Sequence, residues 1–143
     1  MTRLLLIIFL FSFKVTSPEL TGNWKVISYE DEIVYYNKIT DSISFKDASR
    51  KEDAEYFLET AEFMISPLTY NFDNNGNFGV SHQAMGIIAS GKYEVDETNK
   101  KIIMIDQEGK KETVPFSLDN GILFIEMEME VGFVKIGLAK SSS

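Results

Sequence analysis

Apolar residues recur in two different periods along the chain. Ala54, Phe57, Leu58, Ala61 and Ile65 fall at i, i+3, i+4, i+7 and i+11, while Glu55, Glu59 and Glu62 point the other way. That is one apolar stripe on an amphipathic helix. Ser49 followed by Glu52 has the form of a capping box, and Pro67 marks the stop. The spacing predicts a helix over residues 50–65. Elsewhere the period is two. In "LFIEMEME" Leu123, Ile125, Met127 and Met129 share one face and Glu126, Glu128 and Glu130 the other. One face is therefore buried and one solvated. The three glutamates are read as a wet outer face, not as an acid–base or metal site.

Strand-like runs meet turn residues about every ten positions. The first covers residues 24–29 and is expected to continue to Tyr36. "DSISF" adds a short extended piece before the helix. "YNFDNNGNFGV" reads as a hairpin turning at Asn75-Gly76. "DETNK", "QEGK" and Asp119-Asn120-Gly121 separate four further strands, and a last one covers residues 133–138. Seven or eight meandering strands with a polar outer face close or stack. Closure removes exposed edges. The expected fold is all-β: an antiparallel up-and-down β-barrel, with a two-sheet sandwich as the alternative. One amphipathic helix lies between the first and second strands and caps one end.

The N-terminus and the composition limit the address. Arg3 precedes ten residues, "LLLIIFLFSF", and then "KVTSP". That stretch is too short to span a bilayer and has the length of a signal-peptide core. Residues 1–17 are expected to be a cleaved leader and residues 18–143 a single exported domain, periplasmic or extracellular and with no membrane span. The chain has no cysteine, so disulfides, thiol catalysis and Cys-based metal sites are excluded. Loss of Arg3 and Lys14 leaves 12 of the 14 basic residues against 22 acidic ones, a net charge of −10 rather than −8. Such a surface repels nucleic acid and anionic lipid, and any protein partner is expected to be basic. A monomer is expected.

Leu20-Thr21-Gly22-Asn23-Trp24 resembles the Gly-x-Trp opening of lipocalins, more specifically of short lipocalin-like (calycin-type) domains of exported bacterial proteins. The hairpin from Phe72 to Phe78 and the strand Gly91-Lys92-Tyr93 extend the resemblance over about residues 20–138. In lipocalins an arginine packs over the tryptophan. Here the resemblance passes that role to Lys135 or Lys140, because Arg50 lies at the helix start. The family's Thr-Asp-Tyr loop motif is absent. The resemblance implies that Gly22 and Trp24 are structural. Gly22 lets the chain pass tightly beneath the barrel. Trp24 plugs the closed end, its indole N–H seeking a carbonyl.

Chemistry-bearing residues are sparse. His82 is the one histidine, read as a surface or rim residue, and one histidine without cysteine makes no usual zinc site. "DNNGN" has the wrong spacing for a calcium loop. No nucleophile–base pair is visible, so no catalytic residue, metal or cofactor is expected and the protein is read as a non-enzyme. The apolar interior candidates are Phe72, Phe78, Met85, Ile103, Ile105, Phe116, Leu118, Ile125, Met127, Met129 and Phe133. Of these and the helix stripe, Phe57, Leu58, Phe72, Phe78, Tyr93, Ile125, Met127 and Met129 are expected to line a site for a small, largely apolar molecule such as a lipid or hydrophobic metabolite. Tyr93 or His82 supplies polarity at the rim. A drug-sized ligand needs a pocket of about 300 Å³ or more. The alternative is a barrel filled by its own side chains that serves as an interaction or structural module of the cell envelope.

Overall fold

A computed structural model describes residues 17–130 and 132–142. The expected leader, Ser17 apart, lies outside the described residues. The strands in chain order are β1 (Gly22–Glu30), β2 (Val34–Asn37), β3 (Ser42–Phe45), β4 (Leu68–Phe72), β5 (Asn77–His82), β6 (Gly86–Asp96), β7 (Lys101–Asp106), β8 (Lys111–Asp119), β9 (Ile122–Met129) and β10 (Gly132–Lys140). Helix α1 (Lys51–Met64) lies between β3 and β4. Neighbouring strands from β4 to β10 pair antiparallel, β4 pairs with the start of β1, and β10 closes on β1. The result is a closed antiparallel barrel of eight strands, β1 and β4 to β10.

The β2–β3 hairpin stands outside this ring. Gly22 to Lys25 of β1 pair with β4, whereas Ser28 to Glu30 pair with β2. The first strand therefore does not run on to Tyr36. It ends at Glu30, and Asp31 Oδ1 accepts the N–H groups of Ile33 and Val34 in the turn that follows, at 2.8 and 2.9 Å. An aspartate bonding the backbone two and three residues on is a turn former. Counting barrel strands alone, the helix does fall between the first and the second.

The helix start also differs from the expected capping box. Asp47 caps a short 3₁₀ turn at Ala48–Arg50, accepting from the Ser49 N–H at 3.0 Å and the Ser49 hydroxyl at 2.6 Å. The Ser49 hydroxyl is thereby spent as a donor. The apolar stripe is as expected: Ala54, Phe57, Ala61 and Ile65 are buried and Leu58 is half-buried against the core.

The barrel has a filled end. Trp24 is 1 % exposed and its Nε1–H donates to the Leu20 carbonyl at 2.8 Å. Phe72 and Tyr93 meet at 4.9 Å edge to face, and the Tyr93 hydroxyl donates to the Asp73 carbonyl at 2.8 Å. Lys140 stands over the Trp24 ring at 5.2 Å. Lys135 covers Phe124 instead. Gly22 is required by its φ of +136° and not by crowding, since an added Cβ would meet only the flexible Lys140 side chain. Crowding falls on Gly91, where a Cβ would lie 2.0 Å from the Ile105 carbonyl oxygen.

Helix α1 crosses the other end. Phe57 meets the Tyr29 ring edge-on at 6.1 Å, and the Tyr29 hydroxyl donates to Glu62 at 3.0 Å. On β5, His82 bonds the Phe63 carbonyl at 2.8 Å. No helix among the described residues is long and apolar enough to cross a membrane.

Candidate ligand-binding site

The inward faces follow from strand alternation. Tyr70 and Phe72 on β4, Phe78 and Val80 on β5, Met104 on β7, Val114 and Phe116 on β8, and Leu123 and Ile125 on β9 are buried at every second position. At the filled end these side chains meet. Towards the helix end they do not, and a cavity of about 210 Å³ remains. Tyr70, Phe78, Val80, Ala89, Met104, Val114, Ile125 and Met127 form its wall, and Ile88, Asp106, Lys110 and Glu112 complete its lining.

Ile88 reaches the cavity through a register slip. Val80 pairs with Ala89 but Ser81 with Ile87, so Ile88 is the extra residue of a β-bulge. Bulges re-aim side chains in this way at barrel rims. The charged residues come from the β7–β8 turn. Asp106 N–H donates to the Lys110 carbonyl at 3.0 Å, and Asp106 Oδ1 accepts the N–H groups of Glu108 and Lys110 at 2.9 and 2.8 Å. Glu112 faces Met104 across the strands and precedes Val114 by two, so it belongs to the inner face.

Tyr70 is the polar group deepest in the wall. It is 4 % exposed, and its hydroxyl donates to the Met127 sulfur at 3.2 Å. A thioether is a weak acceptor. Burial first, and then the nearby Glu112 carboxylate, push the Tyr70 pKa well above that of an ordinary phenol. The group is a protonated donor at any physiological pH.

Of the eight residues expected to contact a ligand, the structure brings Phe78, Ile125 and Met127 into the cavity. Phe72 and Tyr93 are consumed by the plug at the filled end. Met129 is half-buried against the core, away from the cavity lining. Phe57 is spent on Tyr29 and on an outer groove, and Leu58 packs beside it on the core. The other interior candidates also divide. Met85 and Phe133 are exposed, and Ile103 and Ile105 point outward while Ile102 and Met104 point in. "IIMI" is apolar at every position, so its inward phase is not readable from pattern.

His82 is 2 % exposed and so not a surface residue. Its Nδ1 accepts from the Ala84 N–H at 3.1 Å, leaving Nε2–H to donate to the Phe63 carbonyl. Both ring nitrogens are spent on backbone, and the ring ties α1 to β5. Tyr70, Val80 and Val114 are readable in principle, each lying two positions from an inward residue, whereas Met104 is not, since it belongs to the phaseless "IIMI". Glu112 would have followed from the same step applied to a charged residue.

No protein-family model and no curated protein sequence matches the chain. Among solved structures, a DUF4847-family protein from Bacteroides vulgatus ATCC 8482 is similar, with a TM-score of 0.51 and 15 % identity over 88 % of this chain and 96 % of that one. The likeness is one of fold: nearly the whole of that chain follows the same path as nearly the whole of this one.

Proposed function

We propose that the domain is an exported, non-catalytic, lipocalin-like barrel that holds a small amphipathic molecule in its helix end. The observation that carries this reading is the 210 Å³ space with an apolar wall and a charged mouth. A cavity of about 150 Å³ accommodates benzene, and drug-sized sites begin near 300 Å³. The ligand is therefore smaller than the drug-sized one the sequence suggested, with an apolar body about one ring or one branched chain in size. A polar end lies at Asp106, Lys110 and Glu112.

The methionine methyl groups test it. Met104 and Met127 line the cavity, whereas Met64 and Met85 are exposed. With 13C-methyl methionine, titration with small amphiphiles is expected to move the Met104 and Met127 signals and leave Met64 and Met85 in place. Shifts confined to Met64 and Met85 would sink the reading. Export is tested by intact mass of the protein recovered outside the cytoplasm, which is expected to lack the first residues.

A second reading, an interaction module, is favoured by one other feature. A groove of about 570 Å³ runs between α1 and the β9–β10 turn, where Arg50 pairs with Glu32 and Asp53 at 2.7 and 3.0 Å beside Tyr56 and Phe133, exposed by 65 % and 70 %. Two exposed aromatic rings beside an ion-paired patch have the composition of a protein-contact surface. Loss of partner capture in Tyr56→Ala with Phe133→Ala, but not in a cavity-filling variant, would favour this reading over the first.

A further inference from the structure

The charged mouth of the cavity has a definite arrangement. Strand alternation places Lys110, Glu112 and Val114 on one face of the β7–β8 hairpin, with Asp106 directly opposite Lys110 and Met104 opposite Glu112. One carboxylate oxygen, Asp106 Oδ1, accepts the backbone N–H groups of Glu108 and Lys110 and so fixes the turn, leaving Oδ2 without a turn bond. Among the described residues none of the three charges takes part in an ion pair. Two carboxylates and one ammonium thus flank an apolar hole, each with hydrogen-bonding capacity to spare. Low-dielectric walls around such a mouth strengthen its field on a charged guest.

We infer that the molecule held here is a zwitterion of the apolar α-amino-acid class. Its ammonium group meets Glu112 and Asp106, its carboxylate meets Lys110, and its side chain fills the cavity. This rests on the cavity reading above and adds the ligand's charge pattern to it. A simple cation would leave Lys110 unanswered and repelled, and a simple anion would face two carboxylates. A zwitterion answers both signs at one mouth. The cavity volume suits one large apolar side chain, given that about 150 Å³ holds a benzene ring. The Tyr70 hydroxyl, whose partner among the described residues is the Met127 sulfur, lies deep in the wall of the same cavity. Tyr70, Phe78 and Val80 meet the side chain of the guest, and the charged groups at the mouth meet its polar end.

The test is a panel of four molecules sharing the 3-methylbutyl group: leucine, 3-methylbutylamine, 4-methylpentanoate and 3-methylbutanol. Binding is read by calorimetry and by the Met104 and Met127 methyl signals. Leucine is expected to bind at least about tenfold tighter than each of the others, a difference of about 1.4 kcal/mol. Lys110→Met is expected to erase the preference for leucine over the amine while leaving that over the acid. Glu112→Gln is expected to do the reverse, with melting temperatures held near that of the parent. Equal binding of the alcohol or the acid by the parent protein, with the same methyl shifts, would overturn the zwitterion and leave the cavity reading standing. A panel in which no member moves Met104 or Met127 would overturn both.

Discussion

The two ends of this barrel are built from the same alternating strands and finish differently. At the Trp24 end, large rings converge from several strands: Trp24 from β1, Phe72 from β4, Tyr93 from β6 and Phe116 from β8. Their polar atoms are satisfied at once, Nε1–H of Trp24 by Leu20 and the hydroxyl of Tyr93 by Asp73. Lys140 and Lys100 lie over the Trp24 and Phe116 rings from outside. At the helix end, two rings (Tyr70, Phe78) alternate with small side chains (Val80, Ala89, Val114) that leave space between them, and the helix bonds the β1 and β5 side while no helix residue lines the cavity. Ring size and the reach of one helix thus separate a plugged end from an open one.

The largest break in that contrast comes from the plug. Trp24→Ala is expected to cost about 3–5 kcal/mol, as for other large aromatic truncations in a core. Calorimetric melting would show it, and the parent's single indole would emit to the blue and resist iodide. A surface-like emission would abolish the distinction between the ends. Gly91→Ala comes next. A methyl 2.0 Å from the Ile105 carbonyl forces β6 and β7 apart, at about 1–3 kcal/mol or more in denaturant unfolding.

At the open end the sign reverses. Ala89→Leu adds volume where space exists, and is expected to raise stability by about 0.5–1 kcal/mol while abolishing ligand-induced shifts at Met104 and Met127. Loss of stability there would mean that the wall is already packed. Lys140→Ala is expected to cost about 0.5–1 kcal/mol, the scale of an exposed cation over an aromatic face. Lys135→Ala is expected to leave the Trp24 emission unchanged.

The smallest effect concerns pH and the turns at the plugged end. The Asn77 side-chain amide, aided by backbone N–H groups, lowers the Asp73 pKa, and Asn99 acts likewise on Asp96. A carboxylate whose folded pKa lies below its unfolded value of about 3.9 stabilises fully above that value. The contribution drains away as pH falls through the folded pKa. Acid unfolding below about pH 4 is therefore expected to be shallower in Asp73→Asn than in the parent.

How much of this was legible depends on the residues. The helix stripe was readable because a three-to-four spacing survives over eleven positions, and β9 because its glutamates mark the outer face. β7 was not, since four consecutive apolar residues carry no phase. β3 is legible as "DSISF", but the separate β2 and its pairing with β3 are not, because Asp31 breaks a run that otherwise looks continuous. The candidate site was half-legible: Phe78, Ile125 and Met127 lie on well-phased strands. Phe72 and Tyr93 have the same apolar character, and nothing local tells a plug from a wall.

Hydrophobic period, turn residues and the Gly22–Trp24 opening sufficed by themselves for an all-β meander, one amphipathic helix and a buried tryptophan. These are local properties, since each is set by residues a few positions apart. Closure of β10 on β1, the bulge that brings the half-exposed Ile88 to the cavity's edge, the burial of His82 against α1 and the gathering of Asp106, Lys110 and Glu112 around a cavity came only with the tertiary structure. Closure and the cavity join strands far apart in the chain, and the bulge is decided by the register of β5 against β6. A step of one residue in a strand's register reverses which side chains point inward.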